Sequence, residues 1–406
     1  MTDKVAIFGS TGSVGVNTLE VIRLHPDRYR VAALAANTNT RLMLEQCLEF
    51  KPEQVVMVDP TSAIRLRTML GEHGLATEVT SGTDSLDALV SQGIDSVVCA
   101  IVGAAGLSST LSALRAGAKV LIANKEPLVM LGPYIMQLAR QHNAVILPLD
   151  SEHNAIFQCL PTRGQQLLGA GNAKQQFGIR RLLLTGSGGP FRTLDPADFP
   201  RVTPEQACAH PNWQMGPKIS VDSATMMNKG LELIEACALF SMHEKDIEIV
   251  VHPQSVVHSM VEYVDGSVLA QMANPDMKVP IANALGWPER IDSGAASLDL
   301  FGAAKFDFSP PDTARFPALK IAREAIRAGG TAPAILNAAN EVAVQKFLDR
   351  QIGFNRISEL VEETMAKLPM DEDISLEAVI AVDQRARVVC GQLASGSKTV
   401  CPGLGV

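Results

Sequence analysis

The chain has 406 residues, of which 47% are apolar and 19% charged, and its formal net charge is −8. This length exceeds one ordinary hydrophobic core, so we expect two or three domains. The negative charge, the low aromatic content and the lack of a long basic run argue against a nucleic-acid-binding surface. The longest apolar run, residues 97–107, is well short of the ~18 residues that a membrane-spanning helix needs.

The cysteines and the N-terminus indicate a cytoplasmic protein. The seven cysteines show no CxxC spacing, and most lie in apolar segments, which favours reduced core thiols over disulfides or structural zinc. No signal-peptide pattern precedes the first predicted strand. We therefore expect neither a membrane nor a nucleic-acid partner.

The first 150 residues alternate short apolar runs with helical segments. Six runs are predicted strands, at residues 5–8, 31–35, 55–58, 96–100, 120–123 and 145–147. Because these runs are continuously apolar, the strands are expected to be covered on both faces, as in a parallel sheet with crossover helices. The pattern predicts an α/β, doubly wound, Rossmann-like domain at the N-terminus.

Three glycines, Gly9, Gly12 and Gly15, separate the first predicted strand from an amphipathic helix. Such a turn lets a pyrophosphate approach the N–H groups of the helix N-terminus. The spacing is GxxGxxG rather than GxGxxG, so the strand–turn–helix context favours dinucleotide binding over a merely structural turn. The expected contacts are Thr11, Gly12, Ser13 and Val14.

The loop after the second predicted strand favours NADP over NAD. It contains Asn37, Thr38, Asn39 and Arg41 but no acidic residue to hold a ribose 2′-hydroxyl. Neutral donors and an arginine suit a 2′-phosphate better. The alternative is an ordinary polar loop.

Asp150 and Glu152 follow the last predicted strand, at the carboxyl edge of the sheet where ligands bind. Two carboxylates so close together repel each other unless a cation or solvent intervenes. Hard oxygen ligands suit Mg²⁺ or Mn²⁺. The alternative is a solvated acidic turn.

The middle of the chain predicts a central α+β domain. A strand at residues 180–185 leads into a glycine-rich turn and a long polar loop that carries His210 and Trp213. A loop of this length suggests a functional segment, although either side chain could instead be structural. A helix from about residue 224 to 240 and strands at 247–251, 255–263 and 268–272 follow, the last two joined by a hairpin turn.

Glu232 and Glu235 lie three residues apart on one face of that helix, and Lys229 precedes Glu232 by the same spacing. Lys229 is therefore a candidate ion-pair partner of Glu232. Ser223 and Asn228 lie just upstream, where the helix start suits an anion. The alternative is a simple charged helix face.

The last third is predicted to be a helical bundle. Residues 286–316 are rich in Pro and Gly and are expected to form a linker, and helical periodicity begins near residue 317. Three domains are expected. Residues 1–149 are expected to bind NADPH, and residues 150–285 to bind metal and substrate, with a flexible lid at about 186–216. Residues 317–406 are expected to form the helical bundle.

Taken together, these segments resemble the 1-deoxy-D-xylulose 5-phosphate reductoisomerase family. The similar strings cover residues 9–15, 100–107, 123–129, 148–158, 183–192, 210–236, 252–261 and 336–344. The resemblance implies an enzyme of the non-mevalonate isoprenoid pathway that isomerises and reduces 1-deoxy-D-xylulose 5-phosphate to 2-C-methyl-D-erythritol 4-phosphate. It also implies NADPH, a divalent metal and a homodimer.

The resemblance further implies roles for individual residues. The metal ligands are Asp150, Glu152 and Glu232, which also count as catalytic together with Lys125. Substrate-side positions are Ser151, Ser187, His210, Trp213, Ser223, Asn228, Lys229 and Glu235. Cofactor positions beyond the glycine turn are Asn37, Asn39, Asn124, Glu126 and Gly216.

Two departures from the family pattern accompany the resemblance. Asn37-Thr38-Asn39 stands where the family often has Gly-Lys-Asn, and Pro127 stands where Ser is common. Two rival functions stay open: an NADP-dependent sugar-phosphate or semialdehyde dehydrogenase without isomerisation, and a non-catalytic NADPH-binding sensor. Neither rival requires Asp150, Glu152 and Glu232 to converge.

Overall fold

The computed structural model describes residues 2–90, 93–169, 173–209, 213, 215–302, 305–372 and 374–396. These residues form two compact units. The first comprises Met1–Pro127, Ile135–Phe157 and Asp276–Ser297, and the second comprises Leu128–Tyr134, Gln158–Pro275 and Leu298–Val406.

The first unit contains a parallel sheet, as the apolar runs predict, with seven strands instead of the six predicted. The strands are β1 (Asp3–Phe8), β2 (Tyr29–Ala36), β3 (Gln54–Met57), β4 (Glu78–Ser81), β5 (Ser96–Cys99), β6 (Lys119–Ile122) and β7 (Val145–Pro148). Their order is β4-β3-β2-β1-β5-β6-β7, so the glycine turn after β1 lies where the strand order reverses. This switch point is where doubly wound sheets bind their ligands.

Strand β4 was not predicted from the sequence. It lies at the edge of the sheet, and only Val79 of its four residues is buried. An edge strand with one buried side chain carries almost no apolar pattern, which is why the sequence did not reveal it.

Helices follow the strands along the chain. They are α1 (Ser13–Leu24), α2 (Thr40–Phe50), α3 (Pro60–Glu72), α4 (Asp84–Val90), α5 (Leu107–Arg115), α6 (Glu126–Gln141) and α7 (Ser151–Cys159). Side-chain caps fix two of their starts: Asn39 accepts the N–H of Leu42, and Asp59 accepts the N–H of Ser62. A short 3₁₀ turn, Ala104–Gly106, precedes α5.

The second unit contains a mixed four-stranded sheet. Its strands are β8 (Ile179–Gly186), β9 (Ile247–Val251), β10 (Val257–Tyr263) and β11 (Val268–Met272), in the order β11-β10-β8-β9. Strands β8 and β9 are parallel and the other pairs antiparallel. The predicted hairpin between β10 and β11 is confirmed, with Gly266 at φ 91° in its turn.

The middle segment of the second unit also contains helices. They are α8 (Thr162–Gln166), α9 (Ala173–Phe177), α10 (Pro204–Cys208), α11 (Pro217–Ala224) and α12 (Met227–Phe240), with 3₁₀ turns at Pro196–Arg201 and Glu244–Asp246. Helix α13 (Lys278–Gly286) belongs to the first unit and packs against α1.

The helix predicted from about residue 224 to 240 is observed as α12, but a second helix, α11, precedes it and was not predicted. Helix α11 ends at Ala224, and α12 begins at Met227 after Met226, which has a left-handed backbone with φ 63°. Pro217 stands in the first turn of α11, where its missing N–H is not needed. A methionine in the left-handed region leaves no sequence signal, so the corner between the two helices was not predicted.

The C-terminal segment forms the predicted helices. They are α14 (Ala318–Ala328), α15 (Ala332–Leu348), α16 (Arg356–Lys367) and α17 (Leu376–Gly396). Helix α14 packs closely on α12. A Cβ on Gly230 of α12 would lie only 2.8 Å from the Cβ of Ala322 on α14, so the absence of a side chain at Gly230 permits this approach. Among the described helices, none combines the length and the apolar character that crossing a bilayer requires.

An ion-pair cluster fastens α14 to the segment that follows α12. Glu244 is 5% exposed and accepts hydrogen bonds from Arg323 Nη1 at 2.5 Å and Arg327 Nε at 2.7 Å. Desolvation raises the pKa of Glu244, but the hydrogen bonds from Arg327 and Arg323 outweigh it and hold the pKa below its ordinary value. The ionised carboxylate therefore stabilises the fold.

We predict that Glu244→Gln lowers the free energy of unfolding at pH 7 by about 1–2 kcal/mol, because two charge-assisted hydrogen bonds weaken and their arginines are partly solvated. The folded-state pKa is lowered, so this stabilisation is full above the ordinary glutamate pKa and is lost as pH falls through the folded value. Urea unfolding of both proteins from pH 7 to pH 3 should show the difference shrinking toward acid.

The matched control is Glu205→Gln, which removes a carboxylate from the exposed pair with Arg350. This change should leave stability close to that of the parent, because an exposed ion pair contributes little. A Glu244→Gln difference that stayed constant down to pH 3 would contradict the assigned ion-pair role.

Candidate active site

The glycine turn after β1 has the geometry that a bound pyrophosphate requires. Gly9 has φ 89°, and a Cβ there would lie 2.5 Å from the carbonyl oxygen of Ala100. A Cβ on Gly15 would lie 2.4 Å from Cα of Ser10. Only glycine fits both positions, and Gly12 at the helix start has no side chain to accept the first N–H groups of α1. Thr11, Ser13 and Val14 lie at this helix N-terminus, where an anion is favoured.

The loop after β2 presents its polar residues to solvent. Asn37 and Asn39 are exposed, and Asn39 uses its side-chain oxygen to cap α2. The Arg41 side chain is 91% exposed and lies 3.5 Å from Glu45 one helical turn away. Such an exposed pair is weak, so the guanidinium can turn to another anion.

The segment after β6 is buried. Asn124, Lys125 and Glu126 are 6%, 7% and 3% exposed. Asn124 donates to the carbonyl oxygen of Gly103 at 3.3 Å. Lys125 Nζ lies 2.6 Å from Asp150 Oδ2. The segment between β6 and α6 therefore places an ammonium group beside the acidic segment that follows β7.

The acidic segment after β7 lies at the carboxyl edge of the sheet, as predicted. Asp150 ends the loop, and Ser151 and Glu152 begin α7, where Ser151 Oγ donates to Glu152 Oε2 at 2.5 Å. Both carboxylates are half-buried, and the Asp150 side chain is 14% exposed. Partial desolvation of two adjacent carboxylates favours a nearby cation.

His153 was not among the site residues predicted from the sequence. Its ring is fully buried, and Nδ1 lies 3.8 Å from Asp150 Oδ2. The sequence does contain a signal for this contact, because His153 follows Asp150 by three residues, which is about one helical turn. His153 thus contributes to the polar surroundings of Asp150 within the first unit.

In the second unit, the first turns of α12 hold a fully buried carboxylate. Glu232 is 0% exposed, and its two oxygens accept from Lys229 Nζ and Asn228 Nδ2 respectively. The predicted ion pair of Lys229 with Glu232 is therefore confirmed. Glu235, one turn further along, is 1% exposed. Acidic groups so deeply buried need cationic or hydrogen-bonding partners.

The glycine-rich turn after β8 packs directly on this cluster. A Cβ on Gly186 would lie 2.7 Å from Cε of Lys229, and a Cβ on Gly189, at φ 73°, would lie 2.5 Å from the carbonyl oxygen of Ser223. Ser187 Oγ accepts the N–H of Gly189 at 3.1 Å. The second unit therefore brings Ser187, Ser223, Asn228 and Lys229 to one place.

The lid prediction is only partly covered by the structure. His210 lies outside the described residues. Trp213 is half-buried, and its ring centroid lies 5.9 Å from that of His258 within the second unit. Gly216 is exposed and immediately precedes α11.

The two units offer complementary chemistry. The first presents a helix N-terminus for a dinucleotide and a lysine–carboxylate pair at the same sheet edge. The second presents serine, asparagine and lysine donors suited to a phosphate, beside a buried carboxylate. A nucleotide cofactor, an anionic substrate and a hard cation fit these groups.

Three family models match the chain. Residues 5–132 match the 1-deoxy-D-xylulose 5-phosphate reductoisomerase model, residues 146–240 match its C-terminal domain, and residues 272–389 match the DXP reductoisomerase C-terminal domain. The 1-deoxy-D-xylulose 5-phosphate reductoisomerase of Cellvibrio japonicus is 55% identical over 392 residues, which cover 96% of this chain and 98% of the relative.

Solved structures agree with these sequence matches. The reductoisomerase of Zymomonas mobilis in complex with NADPH is 45% identical, with a TM-score of 0.89 over 98% of this chain and all of that one. A DOX-P reductoisomerase in complex with NADPH, fosmidomycin and magnesium is also 45% identical, with a TM-score of 0.91 over 97% of this chain and 98% of that one. Since identity of this level extends over almost the whole chain, the protein belongs to the 1-deoxy-D-xylulose 5-phosphate reductoisomerase family.

Proposed function

We propose that the protein isomerises and reduces 1-deoxy-D-xylulose 5-phosphate to 2-C-methyl-D-erythritol 4-phosphate with NADPH and a divalent cation, in the non-mevalonate isoprenoid pathway. The observation that carries the proposal is the buried Glu232 carboxylate with Lys229 and Asn228, in a chain 55% identical to a reductoisomerase. A simple dehydrogenase has no need of such a buried carboxylate. Its burial beside phosphate-type donors supports a metal-assisted reaction of a phosphorylated ketose.

The proposed metal ligands are Asp150, Glu152 and Glu232. Their chemistry fits Mg²⁺ or Mn²⁺, because all three offer hard carboxylate oxygens and each is at least half-buried. When bound, the cation polarises the substrate ketone and stabilises negative charge that develops on its oxygens. Lys125 and Lys229, which each pair with one of these carboxylates, offset their negative charge.

The proposed phosphate site consists of Ser187, Ser223, Asn228 and Lys229. Two hydroxyls, an amide and an ammonium supply donors without an opposing charge of their own. Binding the remote phosphate fixes the reactive end of the substrate, so binding energy contributes to the rearrangement. Ser151 and Glu235 are proposed to contact the carbon chain of the substrate.

The proposed cofactor site lies at the glycine turn of the first unit. Thr11, Gly12, Ser13 and Val14 bind the pyrophosphate, while Asn37, Asn39 and Arg41 surround the 2′-phosphate. Asn124, Glu126 and Gly216 are further proposed contacts. Domain roles follow the sequence boundaries: residues 1–149 bind NADPH, and residues 150–285 bind metal and substrate.

The lid at about residues 186–216 is proposed to cover the bound substrate. Trp213 supplies a large apolar surface and His210 a polar one, and together they exclude water from the rearranging carbon chain. The rearrangement proceeds by retro-aldol cleavage and recombination or by an α-ketol shift. NADPH then delivers hydride to the resulting branched aldehyde.

We further propose a cytoplasmic homodimer. In the part of the chain that the structure describes, β11 pairs only with β10 and forms the edge of the four-stranded sheet. Val268 and Leu269 on this strand are 48% and 49% exposed. An edge strand with exposed apolar residues is a surface that a second copy can cover.

The direct test is oxidation of NADPH with 1-deoxy-D-xylulose 5-phosphate, with and without Mg²⁺, together with identification of the product. We predict metal-dependent turnover and a branched polyol phosphate. Asp150→Asn should lower kcat/KM by about 100-fold or more, because it weakens a ligand to the cation. Its thermal stability should stay near that of the parent.

The matched control is Asp265→Asn, which removes a carboxylate from the hairpin turn where asparagine–glycine is equally suitable. This variant should retain activity. An unbranched product would favour a plain dehydrogenase, and NADPH binding without turnover would favour a sensor.

We predict a clear preference for NADPH over NADH in kcat/KM. Arg41→Ala should reduce this preference by about tenfold, because one charged contact to the 2′-phosphate is lost. Arg30→Ala, at the opposite end of β2, is the control and should leave the preference unchanged. Equal kcat/KM values for the two cofactors in the parent would refute the assigned role of this loop.

We predict that Leu269→Arg shifts the protein from dimer to monomer in light scattering after size-exclusion chromatography, since the charge must be buried at the covered edge. Ile64→Arg is the control. Ile64 is also an exposed apolar residue, at 63% exposure, but it lies on α3 and not on β11. An unchanged dimer with Leu269→Arg would place the subunit contact elsewhere.

A further inference from the structure

The short helix α11 carries a buried acidic residue next to the proposed phosphate contact Ser223. Asp222 is 1% exposed, and Lys218 Nζ lies 2.9 Å from its Oδ2, one turn earlier on the same helix. Asn340 Nδ2 on α15 donates to the other oxygen, Oδ1, at 2.8 Å. The side chain of Asp222 thus joins α11 to the C-terminal helices within the second unit.

The backbone of Asp222 continues this connection toward α12. Its carbonyl oxygen accepts the hydroxyl of Thr225 at 3.2 Å, and that hydroxyl accepts the N–H of Met227 at 3.3 Å. Met227 is the first residue of α12, which carries Asn228 and Lys229 in its next two positions. Asp222 therefore adjoins Ser223 in the chain and is linked through Thr225 to the start of α12, which carries the other two phosphate-side positions.

The corner between α11 and α12 needs such support. Met226 holds a left-handed backbone, which is unfavourable for a side-chain-bearing residue and persists only where neighbouring contacts impose it. Helix α11 has only eight residues, so its own hydrogen bonds do not fix its orientation. The Asn340 hydrogen bond supplies an anchor outside the segment.

We propose that Asn340 is a positioning residue for the reaction: through Asp222 it holds α11 and the start of α12 so that Ser223, Asn228 and Lys229 face the substrate phosphate. Asn340 itself touches no reacting atom. This inference rests on the proposed function, because the phosphate is that of the proposed substrate. It gives the C-terminal helices a part in substrate affinity besides packing.

Asn337 offers a matched control on the same helix. It is also 0% exposed, but its amide donates to Glu341 Oε1 at 3.0 Å, within α15, rather than to α11. Asn337→Ala and Asn340→Ala each remove one buried amide from α15. A purely structural role would therefore affect both variants alike.

The experiment compares steady-state kinetics, NADPH affinity and thermal stability of the two variants. We expect Asn340→Ala to raise KM for 1-deoxy-D-xylulose 5-phosphate about tenfold, with a smaller change in kcat and unchanged NADPH affinity. Asn337→Ala should keep the parent KM even if it melts earlier. Equal KM values in the two variants would overturn the proposal.

Two further arms keep the test decisive. In a Ser223→Ala background the added effect of Asn340→Ala on KM should be smaller than in the parent, because part of that effect acts through Ser223; full additivity would contradict the route through Ser223. If Asn340→Ala does not fold, Asn340→Ser replaces it, with the same expected rise in KM.

Binding of inorganic phosphate, measured by calorimetry, separates this inference from the proposed function. If the parent protein shows no turnover, the proposed function fails. The positioning role then still predicts weaker phosphate binding by Asn340→Ala than by Asn337→Ala, and equal binding would refute it.

Discussion

The buried carboxylate of Glu232 imposes the strongest physical constraint on the second unit. An ionised group with no exposed surface loses its hydration, so its charge must be balanced by neighbours. Lys229 and Asn228 provide that balance from the preceding turn of α12. The same two side chains are the proposed phosphate donors. The proposed phosphate site and the surroundings of the buried Glu232 carboxylate therefore have two residues in common.

This sharing explains the glycines of the adjoining turn. Lys229 can lie against β8 only because residue 186 has no Cβ, and Ser223 can lie beside the turn only because residue 189 has none and adopts a positive φ. A larger residue at either position would displace a phosphate-side group. The glycine-rich sequence after β8 is therefore a requirement of close packing at the site rather than a sign of a loose loop.

Much of the fold follows from apolar pattern, and its exceptions have physical reasons. The buried strands of the first unit are recognisable because both faces are covered, whereas β4 is not, because only Val79 is buried. The corner between α11 and α12 at Met226 depends on tertiary contacts that no local propensity encodes. The pairing of Lys229 with Glu232 was predictable from helical spacing, but the pairing of Lys125 with Asp150 joins residues on different strand ends and required the sheet order.

The left-handed backbone of Met226 has a consequence for how this corner can vary. A non-glycine residue in that region carries an unfavourable energy of roughly 1–2 kcal/mol, which glycine would avoid. Methionine is nevertheless present, and its side chain is 4% exposed, so apolar burial offsets the backbone strain. The corner thus combines a strained backbone with a packed side chain, and it is stiffer than a glycine corner would be. Together with the hydrogen bond from Asn340 to Asp222, rigidity at Met226 limits how far Ser223 and Lys229 can move apart.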